Sequence, residues 1–444
     1  MFKFYFKVIV VITSLFFLTG CTPTITTEQL NVGVIQKESF NKIVTEVEKD
    51  DSSQNEMWYW LNLARMYQVQ KEYQKSIVAF NKAETILDEY ENRAQISIRN
   101  IGSGIGSTLF SKGAETYYPK GYERTLMHTL NGINYAMLGN FEGATVEMRK
   151  MEKRQEFWLA ESESKILESR NKKSDLIGNP DTESIPNEYS MAKLLQDDEV
   201  RNMINNYQDP FSYSLSSIIS KISKDNDYSE ISKKRAIALS FDSQILFEPT
   251  PALSADNVEV QVIILSGLAP AQTIEKIRFP FPYSGYVVLD LPSLTNPKKD
   301  IPNVFISTSN TQLDAIRLLK TDKMAYKTLK DEFPMELTKS LVRATSKGVL
   351  SKQMQDRTGG LGGLATTIIM DVTSTLMERN YRSWEMLPNS GFLSKFSAKR
   401  GERVSIRIGG REESVLIPEN TKNGSLILVS YLSNNNIGID NVQY

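Results

Sequence analysis

The apolar and polar positions of this chain follow three different patterns. A mainly apolar run, Val8–Leu18, lies near the start. From Trp58 onward, apolar and small residues recur at spacings of three and four, as on one face of a helix. From Val258 to Ile264, they alternate with more polar residues, as in a half-buried strand. The sequence therefore predicts an α+β fold, in which an α-helical region precedes a mixed region of antiparallel β-strands and helices.

The first apolar run and its flanks predict an export signal. Lys3 and Lys7 precede the run, which is too short to span a bilayer comfortably. Leu18-Thr19-Gly20-Cys21 follows it, and this is the lipobox pattern of lipoproteins. We predict a signal peptide at 1–20, diacylglycerol and palmitate on Cys21, and a tether at 21–35. The alternative is a plain amino-terminal membrane anchor with an incidental cysteine. No Asp follows Cys21, which favours the periplasmic face of an outer membrane.

Two stretches match the tetratricopeptide (TPR) pattern, in which large residues of one helix fill the space left by small residues of the next. Equivalent positions of the two matches, such as Tyr67 and Tyr135, lie 68 residues apart, which is twice the 34-residue TPR period. We therefore predict a TPR-like helical domain at 36–174; two helical hairpins without a repeat relationship are the alternative. The predicted packing residues are Trp60, Ala64, Tyr67, Phe80 and Ala83 in the first match, and Gly132, Tyr135 and Ala144 in the second.

The stretch between the two matches contains three glycines, in Ile101–Gly106, which predict a degenerate repeat or a loop. A phosphate-binding loop is disfavoured, because no Lys-Ser or Lys-Thr ends this stretch and no strand pattern leads into it. The charged stretch Met148–Ser174 predicts a long helix that caps the repeats. Pro180 and Pro186 indicate a linker at 175–188.

The second half divides into a helical segment at 189–250, interrupted at Pro210, and a mixed domain at 251–444. Strands are expected at about 258–291 and 404–432, sharing one sheet or sandwich, with a helical stretch from Thr311 to about Lys352 between them. Gly409-Gly410 supplies the positive φ angles of a tight hairpin. Gly359–Met377 is apolar enough to suggest membrane insertion, but its Asp, Thr and Gly residues favour a buried helix behind a flexible loop.

Composition narrows the range of functions. The chain has 52 Lys and Arg against 53 Asp and Glu, which gives no indication of nucleic-acid binding. Its one cysteine is assigned to lipid, and its one histidine, His128, falls at a helix-packing position. No HExxH or GxSxG motif is present, so we expect no catalysis, cofactor, metal or small-molecule substrate. The rival interpretation is a peptidoglycan hydrolase that uses paired carboxylates.

Four short motifs carry a family resemblance: Gly121–Arg124, Asn134–Gly139, Ser266–Pro270 and Arg382–Pro388. In these motifs and their order, the chain resembles an uncharacterised bacterial TPR-containing envelope lipoprotein family. The resemblance implies an architecture and an envelope location, and it carries over no catalytic or ligand residue. Two roles for the Arg-Ser-Trp element remain open: a packing contact, with Trp384 buried and Arg382 capping carbonyls, or a binding site.

These observations predict a lipid-anchored scaffold or adaptor that contacts the membrane through Cys21 and binds envelope proteins. A regulator of peptidoglycan synthases is the alternative, and no residue separates the two. Because TPR arrays leave a concave surface for partners, we expect polar residues of the first helix of each repeat to face it. The candidate partner-binding residues are Asn62, Arg65 and Asn131.

Overall fold

The computed structural model describes residues 37–49, 56–99, 117–176, 188–249, 256–281, 285–295, 302–334, 336–337, 340 and 383–444. The predictions for Cys21, for Ile101–Gly106, for Gly359–Met377 and for Arg382 concern residues outside these ranges. Within them, the protein is α+β, with helices first and sheets after them, as the sequence predicts.

Two antiparallel helical hairpins dominate the first half. The helices are α1 (Lys37–Glu48), α2 (Met57–Val69), α3 (Tyr73–Arg99), α4 (Gly121–Met137) and α5 (Phe141–Leu176). Helices α2 and α3 form the first hairpin, and α4 and α5 form the second. Their turns correspond: Lys71 and Gly139 have positive φ angles of 66° and 75°. In each turn, the next residue donates its N–H to a tyrosine carbonyl at 2.9 Å, Glu72 to Tyr67 and Asn140 to Tyr135.

Small residues allow the helices of each hairpin to approach closely. A Cβ atom added to Gly132 would lie 2.5 Å from Met148 Cε and 3.4 Å from the Ala144 carbonyl oxygen, so a larger residue there would require the Met148 side chain to move. In the first hairpin, the buried Ser76 Oγ donates to the carbonyl of Ala64 at 2.6 Å. Of the predicted packing residues, three are half-buried: Trp60, Tyr67 and Tyr135. The others are buried: Ala64, Phe80, Ala83, Gly132 and Ala144.

Shorter helices connect the hairpins to the sheets: α6 (Ala192–Leu195), α7 (Asp198–Asn202), α8 (Pro210–Ile222), α9 (Asn226–Leu239) and a 3₁₀ helix (Phe241–Phe247). Pro210 occupies the first turn of α8, where its missing N–H costs nothing. Asp209 caps the same helix by accepting the Ser212 N–H at 2.7 Å. The predicted break at Pro210 is therefore the start of a helix. Helix α8 packs against α4 and α5 on one side and against β6 on the other.

The second half contains eleven strands in the described residues: β1 (Asn257–Ser266), β2 (Gln272–Phe281), β3 (Gly285–Leu294), β4 (Val304–Ser307), β5 (Gln312–Asp314), β6 (Ile316–Lys320), β7 (Ser390–Lys399), β8 (Arg403–Ile408), β9 (Arg411–Leu416), β10 (Gly424–Ser433) and β11 (Asn436–Gln443). They form a five-stranded sheet in the order β11-β10-β1-β7-β6, a four-stranded sheet in the order β5-β4-β8-β9, and the hairpin β2-β3.

The early strands β1 and β4 share the two larger sheets with late strands, as expected, whereas β2 and β3 pair with each other in a separate hairpin. Strand β1 pairs with β10 and β7, and β4 pairs with β8. One apolar cluster joins the facing sides of these two sheets, for example Val262 of β1 and Ile406 of β8. The expectation of antiparallel strands is wrong for one pair, because β1 and β10 run parallel. The sequence contains no local signal for that pairing.

Two further sequence predictions are tested by the strands. The helical stretch predicted from Thr311 is wrong at its start: β5 and β6 precede the helix α10, which covers 321–334 in the described residues. The hairpin at Gly409-Gly410 is confirmed, since both residues have positive φ angles (57° and 83°) between β8 and β9.

The five-stranded sheet lies between the helices and the four-stranded sheet. On β1, Ile263 and Leu265 belong to the core shared with the helices, whereas Val262 and Ile264 face the four-stranded sheet. A single core therefore continues from the helical hairpins into the sheet region. Among the helices that the structure describes, none combines the length and apolar composition of a membrane span.

Candidate functional site

The three candidate partner-binding residues are buried. Asn62 and Asn131 are each 2% exposed, and Arg65 is 0% exposed. The expectation that they face a free concave surface is therefore wrong. The physical reason is that another part of the chain and a neighbouring helix cover them: Asn62 contacts residues from beyond position 380, and Asn131 Nδ2 lies 3.4 Å from Asn81 Oδ1.

The chain segment Ser383–Asn389 lies against the helices where we expected a partner. Glu385 Oε2 accepts hydrogen bonds from Trp58 Nε1 at 2.6 Å and Asn62 Nδ2 at 3.0 Å. The backbone N–H of Met386 donates to Asn62 Oδ1 at 2.9 Å. The Trp384 ring packs edge-on against Phe80, with a centroid distance of 6.0 Å, and is 1% exposed. The packing interpretation of Trp384 is thus confirmed.

The same segment is also tied to the sheet region. The Ala269 N–H donates to the Leu387 carbonyl at 2.8 Å, and Thr321 Oγ1 donates to the Pro388 carbonyl at 2.7 Å. On the helical side, the Trp384 N–H donates to Glu123 Oε1 at 3.3 Å. Three of the four family-like motifs therefore meet here, namely Gly121–Arg124, Ser266–Pro270 and the 383–388 part of the Arg-Ser-Trp motif. We call this meeting point the junction.

Two buried charged groups beside the junction have shifted pKa values. Burial raises the pKa of the Glu123 carboxyl to about 7, although N–H groups of Lys120 and Trp384 oppose the shift. Burial lowers the pKa of the Arg65 guanidinium to about 9. Its Nη1 donates to Gln68 Oε1 at 2.9 Å, but its Nε and Nη2 have no hydrogen-bond partner in the described part of the chain. Burial therefore disfavours the charged form of both groups.

A second cluster of buried polar side chains surrounds His128, between α3, α4 and α5. His128 Nδ1 lies 2.7 Å from Glu147 Oε2, and Arg154 Nε donates to His128 Nε2 at 3.3 Å. Lys150 Nζ bridges Glu147 Oε1 (3.0 Å) and Glu84 Oε2 (2.8 Å). Burial alone would raise the pKa of Glu147, but hydrogen bonds from His128 and Lys150 outweigh it and lower the pKa.

These contacts favour an ion-pair network over a metal centre. Ligand atoms of Glu84, His128 and Glu147 do lie within 4.8 Å of one another, close enough to suggest a metal ion. However, a donor from Arg154 at Nε2 requires the ring proton on Nδ1, which donates it to Glu147. The Nδ1 lone pair is then unavailable for a metal, and the Lys150 ammonium already lies between the two carboxylates.

Asp209 is a further carboxyl whose pKa is raised, which would suggest an acid–base role. Burial raises this pKa to about 6. Both oxygens are nevertheless engaged at the start of α8, since Oδ1 accepts the Ser212 N–H and Oδ2 accepts the Ser212 hydroxyl at 2.8 Å. The shift is explained by a buried helix cap, and it supplies no paired carboxylate of the kind that glycoside hydrolysis uses.

An open groove lies where α1 meets the two helices of the first hairpin, and we call it the outer groove. It has a volume of about 420 Å³ and is lined by Glu48, Tyr59, Trp60, Leu63, Tyr67, Gln74, Lys75, Val78, Ala79 and Lys82. Aromatic rings of α2 form one side, and Val78 of α3, 48% exposed, lies on the other. The groove thus combines apolar surface with solvent access.

Two lysines give the outer groove its charge. Lys82 Nζ lies 4.0 Å from the centroid of the Trp60 ring, and Lys75 Nζ lies 5.4 Å from that of Tyr67. In the described residues, Lys82 forms no ion pair, and Lys75 has only a 3.9 Å contact with Glu72. Glu48, the acid in the groove, accepts the Tyr67 hydroxyl at 2.7 Å. The groove therefore presents unneutralised positive charge beside aromatic surface.

The groove is absent from the sequence predictions, which assign Trp60 and Tyr67 to packing alone. A signal was available: Lys75, Val78 and Lys82 stand at positions i, i+3 and i+7 of α3, so they share one helix face. The aromatic rings of α2 beside this face extend it into the apolar side of the groove.

Comparisons of the chain with protein-family models, with curated proteins and with solved structures find no match. The family resemblance drawn from the motifs thus stays a prediction.

Proposed function

We propose that this protein is a lipid-anchored scaffold of the cell envelope that binds partner proteins through its TPR-like hairpins and performs no catalysis. Cys21 attaches it to the membrane, with the periplasmic face of an outer membrane as its location. The TPR-like relationship is supported by the matching turns at Lys71 and Gly139, which stand at equivalent positions 68 residues apart.

The observation that carries the proposal is the outer groove. In the described residues, Lys82 has no carboxylate partner, and the carboxylate contact of Lys75 is with Glu72 at 3.9 Å. Exposed apolar surface beside these two lysines is an arrangement that a protein partner completes. The junction cannot serve that purpose, because Ser383–Asn389 already fills it. Partner binding is therefore assigned to the outer groove, in place of the concave surface expected from the sequence.

The charges indicate which kind of partner fits. A polypeptide segment with carboxylates and at least one apolar side chain would pair with Lys75 and Lys82 and cover Val78. Carboxylates can also neutralise the positive charge of the lysines while the lysines stay against the aromatic rings. An acidic segment of an envelope protein is thus the proposed ligand. If that protein is a peptidoglycan synthase, the function becomes the alternative one, regulation of the synthase.

The test reverses the charge of the groove. The double variant Lys75→Glu/Lys82→Glu should lower the recovery of crosslinked partners from solubilised envelopes about tenfold, since loss of roughly 1.4 kcal/mol of binding has that effect. Lys234→Glu, an exposed charge reversal on α9, is the matched control and should leave recovery unchanged. Equal recovery with both variants would contradict the proposal.

The hydrolase alternative is tested separately. Purified protein is incubated with peptidoglycan, and soluble fragments are measured. We expect none. Cleavage that a single carboxylate or serine substitution abolishes would overturn the scaffold proposal.

A further inference from the structure

The outer groove has a regular length and pattern that its ligand must match. On each of the two helices of the first hairpin, three lining residues stand at positions i, i+3 and i+7; they are Trp60, Leu63 and Tyr67 on α2, and Lys75, Val78 and Lys82 on α3. Seven residues of helix rise by about 10.5 Å, so each row runs along two helical turns on one face.

The two rows meet in opposite order, because α2 and α3 are antiparallel. At one end, Lys82 Nζ lies 4.0 Å from the centroid of the Trp60 ring, and at the other, Lys75 Nζ lies 5.4 Å from that of Tyr67. Val78 stands between the two lysines in its row and is 48% exposed. The groove thus has a cation beside an aromatic ring at each end and exposed apolar surface between the ends.

The distance between the two ends distinguishes the shapes that an acidic polypeptide can take. Residues i and i+7 of a helix share one face and lie about 10.5 Å apart along its axis, which equals the rise from Lys75 to Lys82. In an extended segment, side chains on one face are two or four residues apart, which is about 7 or 13 Å, and neither distance matches. A helix therefore places two carboxylates at the two lysines and an apolar side chain, at i+3 or i+4, over Val78.

We propose that the ligand of the outer groove is an amphipathic α-helix with acidic residues at i and i+7 and an apolar residue between them, lying along α2 and α3. This inference rests on the proposed function, since it specifies the shape of the acidic segment that the groove binds. A helix that lays its apolar face into a groove is a general mode of recognition between proteins. The charge of the groove, with two lysines and one carboxylate in its described lining, favours an acidic helix over a basic one.

The two ends of the groove should contribute unequally. Glu48 is the carboxylate in the described lining, and it accepts the Tyr67 hydroxyl at 2.7 Å, so it lies at the Lys75 end. Its negative charge repels an acidic ligand residue there, whereas the described lining at the Lys82 end contains no carboxylate. Lys82→Ala should therefore weaken binding of the ligand more than Lys75→Ala does.

Two synthetic peptides of identical composition test the helical ligand. Each is alanine-rich, fluorescently labelled and about 20 residues long, so that it forms a helix in isolation. The matched peptide has Glu at i and i+7 with Leu at i+3 and i+4. The offset peptide has the same residues, but its second Glu is at i+5, on nearly the opposite face. Circular dichroism is used to check that the two have equal helix content.

Binding of the peptides to the full chain in detergent is measured by fluorescence anisotropy. We expect the matched peptide to bind about fivefold more tightly than the offset peptide, which is the effect of one additional exposed ion pair at the upper end of the usual range. Equal affinities of the two peptides, or no binding of the matched peptide, would overturn the proposal.

A charge exchange tests whether this binding takes place in the outer groove. Lys75→Glu/Lys82→Glu should lose the matched peptide and instead bind a version that has Lys in place of both Glu residues, which also shows that the variant is folded. Lys234→Glu, exposed on α9, should bind the matched peptide as the parent does. Binding of the matched peptide that the double variant leaves unchanged would contradict the proposal.

The outcomes separate this inference from the proposed function. If the matched and offset peptides bind equally and Lys75→Glu/Lys82→Glu abolishes both, the helical shape is wrong while an acidic ligand in the groove still stands. If the double variant recovers envelope partners as well as the parent does, the proposed function itself fails.

Discussion

The hydrogen bond between Trp58 and Glu385 offers the sharpest test of the junction. It joins residues 327 positions apart in the sequence, at 2.6 Å, in an environment where Trp58 is 7% and Glu385 3% exposed. Hydrogen bonds to charged groups contribute about 1.5 to 3 kcal/mol to stability. We expect Trp58→Phe and Glu385→Gln each to lower the free energy of unfolding, with Trp58→Phe also losing buried volume.

A double-mutant cycle isolates the contact from that volume. The double variant should be more stable than the sum of the single effects predicts, by about 1 kcal/mol, because the glutamine amide oxygen can still accept the Trp58 N–H and only the charge of the acceptor is lost. The assay is urea unfolding followed by tryptophan fluorescence. Trp58→Phe combined with Glu230→Gln, whose side chain is 61% exposed and far from the junction, should be additive. Additivity of the Trp58 and Glu385 substitutions within about 0.5 kcal/mol would refute the junction as described.

Three further predictions concern the anchor, the pH response and the hairpin packing. Cys21→Ser should abolish incorporation of labelled palmitate and release the protein from alkali-washed membranes; retained acylation would contradict the anchor. The pKa of Glu123 is raised in the folded protein from 4.5 to about 7, so the native state binds the extra proton and stability falls as pH rises between these values. Glu123→Gln should reduce this pH-dependent loss of unfolding free energy by up to about 3 kcal/mol, as measured by urea unfolding at several pH values. A variant whose stability depends on pH as the parent's does would argue against the raised pKa. Ala144→Leu, at a fully buried position between α4 and α5, should lower the unfolding free energy by about 1 to 3 kcal/mol, and an unchanged thermal midpoint would contradict close packing of the hairpin.

Local patterns were sufficient to predict most elements of the fold. Helical spacing located the hairpins, and alternation located β1, because both signals depend on neighbouring residues. The prediction of helix at 312–320 is wrong. The apolar residues of this stretch, Leu313, Ile316, Leu318 and Leu319, are compatible with both the helical period of about 3.6 residues and the strand period of about two. Pairing with β4 and β7 decides the outcome, and that information lies elsewhere in the chain.

The candidate site could be predicted only in part, for the same reason. Asn62 and Arg65 are polar residues on a helix, which favours exposure until Ser383–Asn389 is placed over Asn62 and its surroundings. That contact spans more than 320 residues and leaves no local signal. The motifs that meet at the junction were identified from sequence, but their common location was not. The Lys75–Lys82 stripe was visible as a pattern, and only the adjoining aromatic rings of α2 show it to be a groove.

Site-specific crosslinking tests the proposed function most directly. A photoreactive residue is placed at Val78, inside the outer groove, and in a second protein at Val146, which is similarly exposed (48% and 52%) but lies on α5. After irradiation of intact cells, we expect a defined protein adduct from position 78 that is absent from position 146 and is lost with Lys75→Glu/Lys82→Glu. No adduct at position 78, or the same adducts from both positions, would contradict the claim that this groove binds a partner protein.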